Sequence, residues 1–153
     1  MAGVVTNRGK YRLLNVFFRD GTEPTNLYVF LATSAGTPTA DTNTKSELTE
    51  IAAGNGYTAG GISLGRNATD FDVLTEDDTN DRAFVQARDL VFTASGGPIP
   101  ASGGGARWAG LTDDNATVGS RDVIAAWDLV EDRSVSSGQD LTLQNCEFRL
   151  NAA

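Results

Sequence analysis

Histidine is absent from this chain of 153 residues, cysteine and methionine occur once each, and lysine occurs only at Lys10 and Lys45. Each shortage excludes something. Without histidine, Ser-His-Asp and Cys-His nucleophiles are ruled out, and so is a zinc site built on His or on several Cys. A single cysteine, Cys146, forbids an intramolecular disulfide, and its place in the last strand-like run predicts a buried thiol. There is no run of about 20 apolar residues and no apolar N-terminal stretch of the signal-peptide kind. The expectation is a chain made in the cytoplasm, with no membrane partner, that stays soluble until it meets another protein. Cations are scarce: 12 Lys and Arg face 20 Asp and Glu, for a net charge of −8. A field of that sign opposes general binding to nucleic acid or to anionic lipid. Most of the cations are Arg, whose planar, weakly hydrated guanidinium suits protein interfaces.

What is present reads as one domain. Residues 1–8 are small, polar and aperiodic, which predicts a flexible N-terminal arm; residues 9–153 form a single β-rich domain. From Lys10 the spacing turns helical. Tyr11, Leu14 and Phe18 share a stripe with Leu13 and Phe17 beside it, Asn7 is a candidate N-cap, and Gly21 is a candidate stop. This predicts one amphipathic helix packed on a sheet, with a strand over Arg12 to Arg19 as the competing reading. Leu27 to Ala32 is apolar on both faces, as a buried central strand would be. A short helix over Lys45 to Ala53 would put Leu48 and Ile51 on one side.

After Tyr57 the chain is a string of short strand-like runs. Gly60 and Gly61 suggest a kink before Leu64, and Phe71 and Val73 alternate with Asp70 and Asp72. Ala83 to Thr93 is a long run whose alternation slips near Asp89, predicting a bulge. Arg107 to Leu111 and Val123 to Leu129 read as strands, the second buried around Trp127. The rhythm of Leu141 and Leu143 slips by one before Cys146 and Phe148. Acidic or Gly-rich turns separate these runs, at Glu76 to Asp81, Ser95 to Gly105, Asp113 to Asn115 and Glu131 to Asp140. The fold class predicted is mainly β: an antiparallel β-sandwich or jelly-roll-like domain with one N-terminal helix.

Catalytic vocabulary is thin. Gly103 to Gly105 lacks the Lys-Ser/Thr of a P-loop. Asp77, Asp78, Asn80 and Asp81, and again Asp113, Asp114 and Asn115, offer oxygens of the kind that hold Ca²⁺, but no EF-hand spacing accompanies them. Their ordinary role is to cap turns. Carboxylate pairs could serve a glycosidase, yet none has an aromatic platform nearby in sequence, and Trp108 and Trp127 sit inside strand-like runs. The expectation is no catalytic residues, no metal and no cofactor: a protein that binds or builds.

The order of segments carries a resemblance. "TNRGKYRLLNVFF" leads into "PTNLYVFLATS", then "PTADTNT", "ELTEIAAGNGYTAGG", the acidic hairpin "DFDVLTEDDTNDRAFVQARDLVFTASGG", and the closing "ARWAGLTDDNATVGSRDVIAAWDLVEDRSVSSGQDLTLQNCEFRL". Together these resemble small virion proteins of tailed bacteriophages, described as head decoration or tail-fibre-like proteins. The resemblance runs from about Asn7 to Leu150. It implies a sandwich or jelly-roll-like domain assembled on the virion, often as a homotrimer, and it supplies no functional residues. The function expected from it is a capsid decoration (cement) protein bound to the major capsid protein. A tail-fibre or receptor-binding virion protein is the alternative. The candidate interface residues, read from composition alone, are Asn7, Arg8 and Arg12, with the two arginines meeting carboxylates on a neighbouring subunit.

Overall fold

The computed structural model describes residues 3–151. The elements in chain order are β1 (Val4–Val5), α1 (Asn7–Arg19), β2 (Asn26–Ala32), β3 (Ile62–Gly65), β4 (Val73–Asp77), β5 (Arg82–Ala87), β6 (Leu90–Thr93), β7 (Ala106–Thr112), β8 (Val123–Arg133), β9 (Asp140–Leu143) and β10 (Cys146–Asn151). All the strand pairings are antiparallel. A five-stranded sheet runs β1-β8-β7-β2-β3. A three-stranded sheet, β10-β5-β4, and a ribbon, β6-β9, oppose it. The protein is thus mainly β with one N-terminal helix, in a sandwich-like arrangement.

The main core lies between these layers. Val29, Leu31, Leu64, Ala109, Ala125 and Trp127 of the large sheet meet Ala87, Leu90, Phe92, Leu141, Leu143 and Phe148 of the smaller ones. Fully burying a Val, Leu or Phe side chain contributes about 1.5–3 kcal/mol. Trp127 is 1% exposed and donates its indole N–H to Glu147 O at 2.8 Å, so its one polar atom is satisfied. Strand β2 is apolar on both faces because both are covered. Val29 and Leu31 point into the main core, while Phe30 and Ala32 join Leu48, Val123 and half-buried Trp108 on the other side.

The two slips in alternation mark one structural device. At Arg88–Asp89 the run expected to continue past a bulge breaks into β5 and β6, and the partner changes from β10 to β9. At Gln144–Asn145 the return run breaks at the same level, with Asn145 at φ 54°. Both chains therefore cross from one small sheet to the other, as corner strands do where sheets meet. Gln144 Nε2 donates to Asp89 Oδ2 at 2.9 Å and ties the two crossings together.

Three expectations need correction. No helix forms over Lys45 to Ala53. Only Lys45–Glu47 makes a 3-10 turn, with Glu47 reaching back to Thr44 N at 2.9 Å. The chain then runs extended beside β2, with Ile51 N donating to Leu31 O at 3.0 Å. Leu48 and Ile51 thereby reach opposite faces of the large sheet instead of sharing a helix side. The strand expected to end at Leu129 continues to Arg133, through Val130 at φ 72°. The N-terminal segment is no free arm over its described part. Val4 and Val5 pair with Ala126 and Ala125, and Asn7 and Arg8 belong to α1; Met1 and Ala2 lie outside the described residues. Two β-branched residues beside an edge strand gain a ladder, a gain that a reading of small, aperiodic composition did not register.

Candidate interaction surface

Helix α1 is seated at its first turn. The N-cap is Thr6, one residue before the Asn7 expected: its Oγ1 accepts from Gly9 N at 2.8 Å and donates to Val123 O at 2.5 Å. Thr6 is fully buried, so the cap also joins the helix to β8. Gly9 is the residue of α1 that is buried, and a Cβ there would collide with Ile124 O, so only glycine lets the helix backbone approach the strand this closely. The helix ends at Arg19, with Asp20 in the left-handed region and Gly21 N bonded to Asn15 O at 3.0 Å.

The face of α1 turned to the body carries Gly9, Arg12 and Val16. The expected core stripe is on the outside: Tyr11 is 55% exposed, Leu14 58%, Phe17 81% and Phe18 70%. Phe17 and Phe18 pack edge to face with ring centroids 5.0 Å apart. The signal was present in the sequence. At 100° per residue, Tyr11, Leu13, Leu14, Val16, Phe17 and Phe18 spread over more than half the helix circumference, wider than one packed face covers.

The three interface candidates find partners within their own chain. Asn7 Nδ2 donates to Asp41 Oδ1 at 3.0 Å. Arg8 Nε lies 2.9 Å from Asp122 Oδ1, and Arg12 lies 3.6 Å from both Asp122 and Asp113. Asp113 also accepts from Asp122 N at 2.9 Å, and Asp114 accepts from Thr25 N at 2.7 Å and Asn26 N at 3.2 Å. Arg121 lies 3.7 Å over the Tyr28 ring and donates to Gly60 O at 3.3 Å. The Asp113–Asn115 turn is a knot that fastens α1, β2 and β8.

The Glu76–Asp81 turn is different. Asp77 accepts from Asn80 Nδ2 at 2.9 Å and Arg82 Nε at 2.7 Å, which hold its carboxyl below the ordinary carboxylate range. Asp72, Glu76, Asp78 and Asp81 are exposed. Among the described residues no cluster of three or more His, Cys, Asp or Glu has the placement of a metal site. Cys146 is 2% exposed, and burial pushes its thiol up to about 11. A polar cluster behind β2 closes on itself: Glu50 accepts from Tyr57 Oη at 2.7 Å and from Gly60 N at 2.6 Å, with Lys45 Nζ 2.5 Å away.

Beside α1 lies an apolar groove of about 160 Å³, lined by Leu13 and Val16 of the helix and by Leu27, Phe71, Val85 and Phe148. Its floor is the three-stranded sheet, whose register aligns Phe148, Val85 and Leu74 across β10, β5 and β4 on one face. Phe148 is buried, Val85 half-buried, and Leu74, on the open edge strand, is 82% exposed. The sequence reading placed the inward side of this strand at Phe71 and Val73 and passed over Leu74.

No family model matches the chain, and neither a curated protein nor a solved structure matches it.

Proposed function

We propose that this protein is a bacteriophage capsid decoration (cement) protein, which binds the outer head surface through the major capsid protein and stabilises the shell. The observation that carries this reading is where the apolar surplus lies. A closed, well-packed β-core leaves Phe17, Phe18, Leu14, Tyr11 and Leu74 in water. Contiguous exposed apolar surface marks interaction sites. The carboxylates of the Asp113–Asn115 turn, Asp77 and the Glu50 cluster bond to their own fold, which suits attachment rather than conversion of a substrate. The acid-rich remainder suits a position outside the shell, away from packaged DNA, and the resemblance in segment order points the same way. Copies assembled together would multiply individually modest contacts.

The test is to mix the purified protein with heads that lack it, sediment the heads, and count bound copies. Saturable binding at hundreds of copies per particle, with heads surviving heat or low salt better, is the expected result. Failure to bind heads, with binding to host cells instead, would replace this reading with a receptor-binding one.

A further inference from the structure

We propose that two copies of this chain pair reciprocally, the outer face of α1 of one copy lying on the acidic β4–β5 hairpin and Leu74 of the other. The inference goes beyond the decoration reading and needs no capsid, so the two fail separately.

Charge selects the occupant. Helix α1 holds Arg8, Lys10, Arg12 and Arg19 and no acid, on a chain whose other residues carry eight cations against 20 acids. Residues 70–81 hold Asp70, Asp72, Glu76, Asp77, Asp78 and Asp81 and no cation. Arg8 and Arg12 are engaged with Asp122 and Asp113, and Asp70 and Asp77 with Arg88 and Arg82. Lys10 and Arg19 at the two ends of the exposed stripe, and Asp72, Glu76 and Asp78 around Leu74, are left to face outward. Each patch is apolar at its centre; the α1 stripe itself carries only cations, with Asp20 just past its end, and the hairpin patch carries acids, so the signs are opposite. This is the complementarity that sets register between partners.

Geometry selects the reciprocity. Leu13 and Val16 of α1 and Phe148 and Val85 of the small sheet border one groove, and Leu74 continues the Phe148–Val85 row outward in register, so the helix that carries the cations and the sheet that carries the acids flank the same groove. A face that carries both halves of a complementary pair is self-complementary about a two-fold axis, where residue i meets j and j meets i. Area is sufficient. Tyr11, Phe17 and Phe18 with Leu13, Leu14, Leu74 and Leu150 leave about 600 Å² of apolar side chain in water per copy. A pair would then cover about 1,200 Å², the lower bound for a specific interface. The homotrimer implied by the resemblance would instead need the two patches on separate faces.

The experiment is sedimentation equilibrium of the whole chain at concentrations up to about 100 µM. The expected mass is twice the 16.1 kDa of one copy. Phe17→Glu and Leu74→Glu, at side chains 81% and 82% exposed, should each weaken the pair at least about tenfold while leaving circular dichroism and the unfolding midpoint unchanged. Lys10→Glu with Arg19→Glu should give monomers, as should Glu76→Lys with Asp78→Lys. Mixing the two charge-swapped proteins should restore the dimer, because every contact in a mixed pair is then between opposite signs. Monomers of the unaltered chain at about 100 µM overturn the proposal. So does a dimer indifferent to both apolar substitutions, or a trimer, since any mixed ring of three keeps one like-charged contact.

Discussion

Asp113–Asp114–Asn115 and Asp77–Asp78 with Asn80–Asp81 are nearly the same turn on paper and opposite things in the molecule. The first is buried at Asp113, 6% exposed, and each of its carboxylates bonds to another element: Asp113 to β8 and α1, Asp114 to the start of β2. The second projects at the tip of a hairpin, and only Asp77 is engaged, with its own hairpin. The difference lies in what the fold brings alongside. Arg8, Arg12 and Arg121 arrive at the first turn from sequence positions far from it or across it, whereas residues 70–81 contain no cation at all. Identical turn chemistry becomes a fastening in one place and a charged outer rim in the other.

The contrast can be broken from the fastened side first. Asp113→Ala removes the acceptor for Asp122 N and the partner of Arg12, and should cost about 2–3 kcal/mol in urea unfolding, a value reduced because the arginines stay partly hydrated. Asp114→Ala frees the Thr25 and Asn26 amides and should cost about 1–2 kcal/mol, with faster hydrogen exchange at the start of β2 as its local signature. On the projecting side, Asp78→Ala should lie within about 0.5 kcal/mol of the parent by the same measurement. A loss there equal to that of Asp113→Ala would erase the distinction.

Acid sharpens it. The carboxyl of Asp77 lies below its ordinary value because Asn80 and then Arg82 hydrogen-bond its charged form. Its contribution is therefore complete above the ordinary carboxylate value of 3.8 and is lost as the pH falls through the lower folded value. A carboxyl-carbon NMR titration should show Asp77 ionising below the ordinary carboxylate value of 3.8, and Asp77→Asn should abolish the late loss of hairpin exchange protection near and below that range. The smallest expected effect is chemical. Cys146, buried and with its thiol at about 11, should take up a thiol reagent only as fast as the protein opens, alike in the Asp78→Ala protein and the parent.

Much of the β architecture was legible because it rests on period-two patterns. Leu27 to Ala32 reads as covered on both faces and is. The slips at Asp89 and before Cys146 were visible as slips, but a single sequence could not say that they are the two sides of one crossing, since that depends on which strands pair. The helix was legible in extent and misread in facing. A stripe of Tyr11, Leu14 and Phe18 is what a core face looks like, and only the collision at Gly9 with β8 shows that the other side is seated. Thr6 lost out to Asn7 as the cap by one position because both residue types cap helices. Arg8 and Arg12 were marked as seekers of carboxylates, which they are; the carboxylates lie in their own chain, more than 100 residues away.

The crossing of β5 into β6 and of β10 into β9 has a mechanical meaning. The small sheets are joined by the same two crossings, so a pull on β5 passes along covalent backbone to Leu90 and Phe92, and through the β5–β10 ladder to Leu141 and Leu143, all seated in the core. No seam lies between the sheets at which peeling could begin. Strand β5 is held as a strap in tension is held, by anchors at its far end, so a load on it reaches the core directly, whereas the edge strand β4 is held by its ladder to β5.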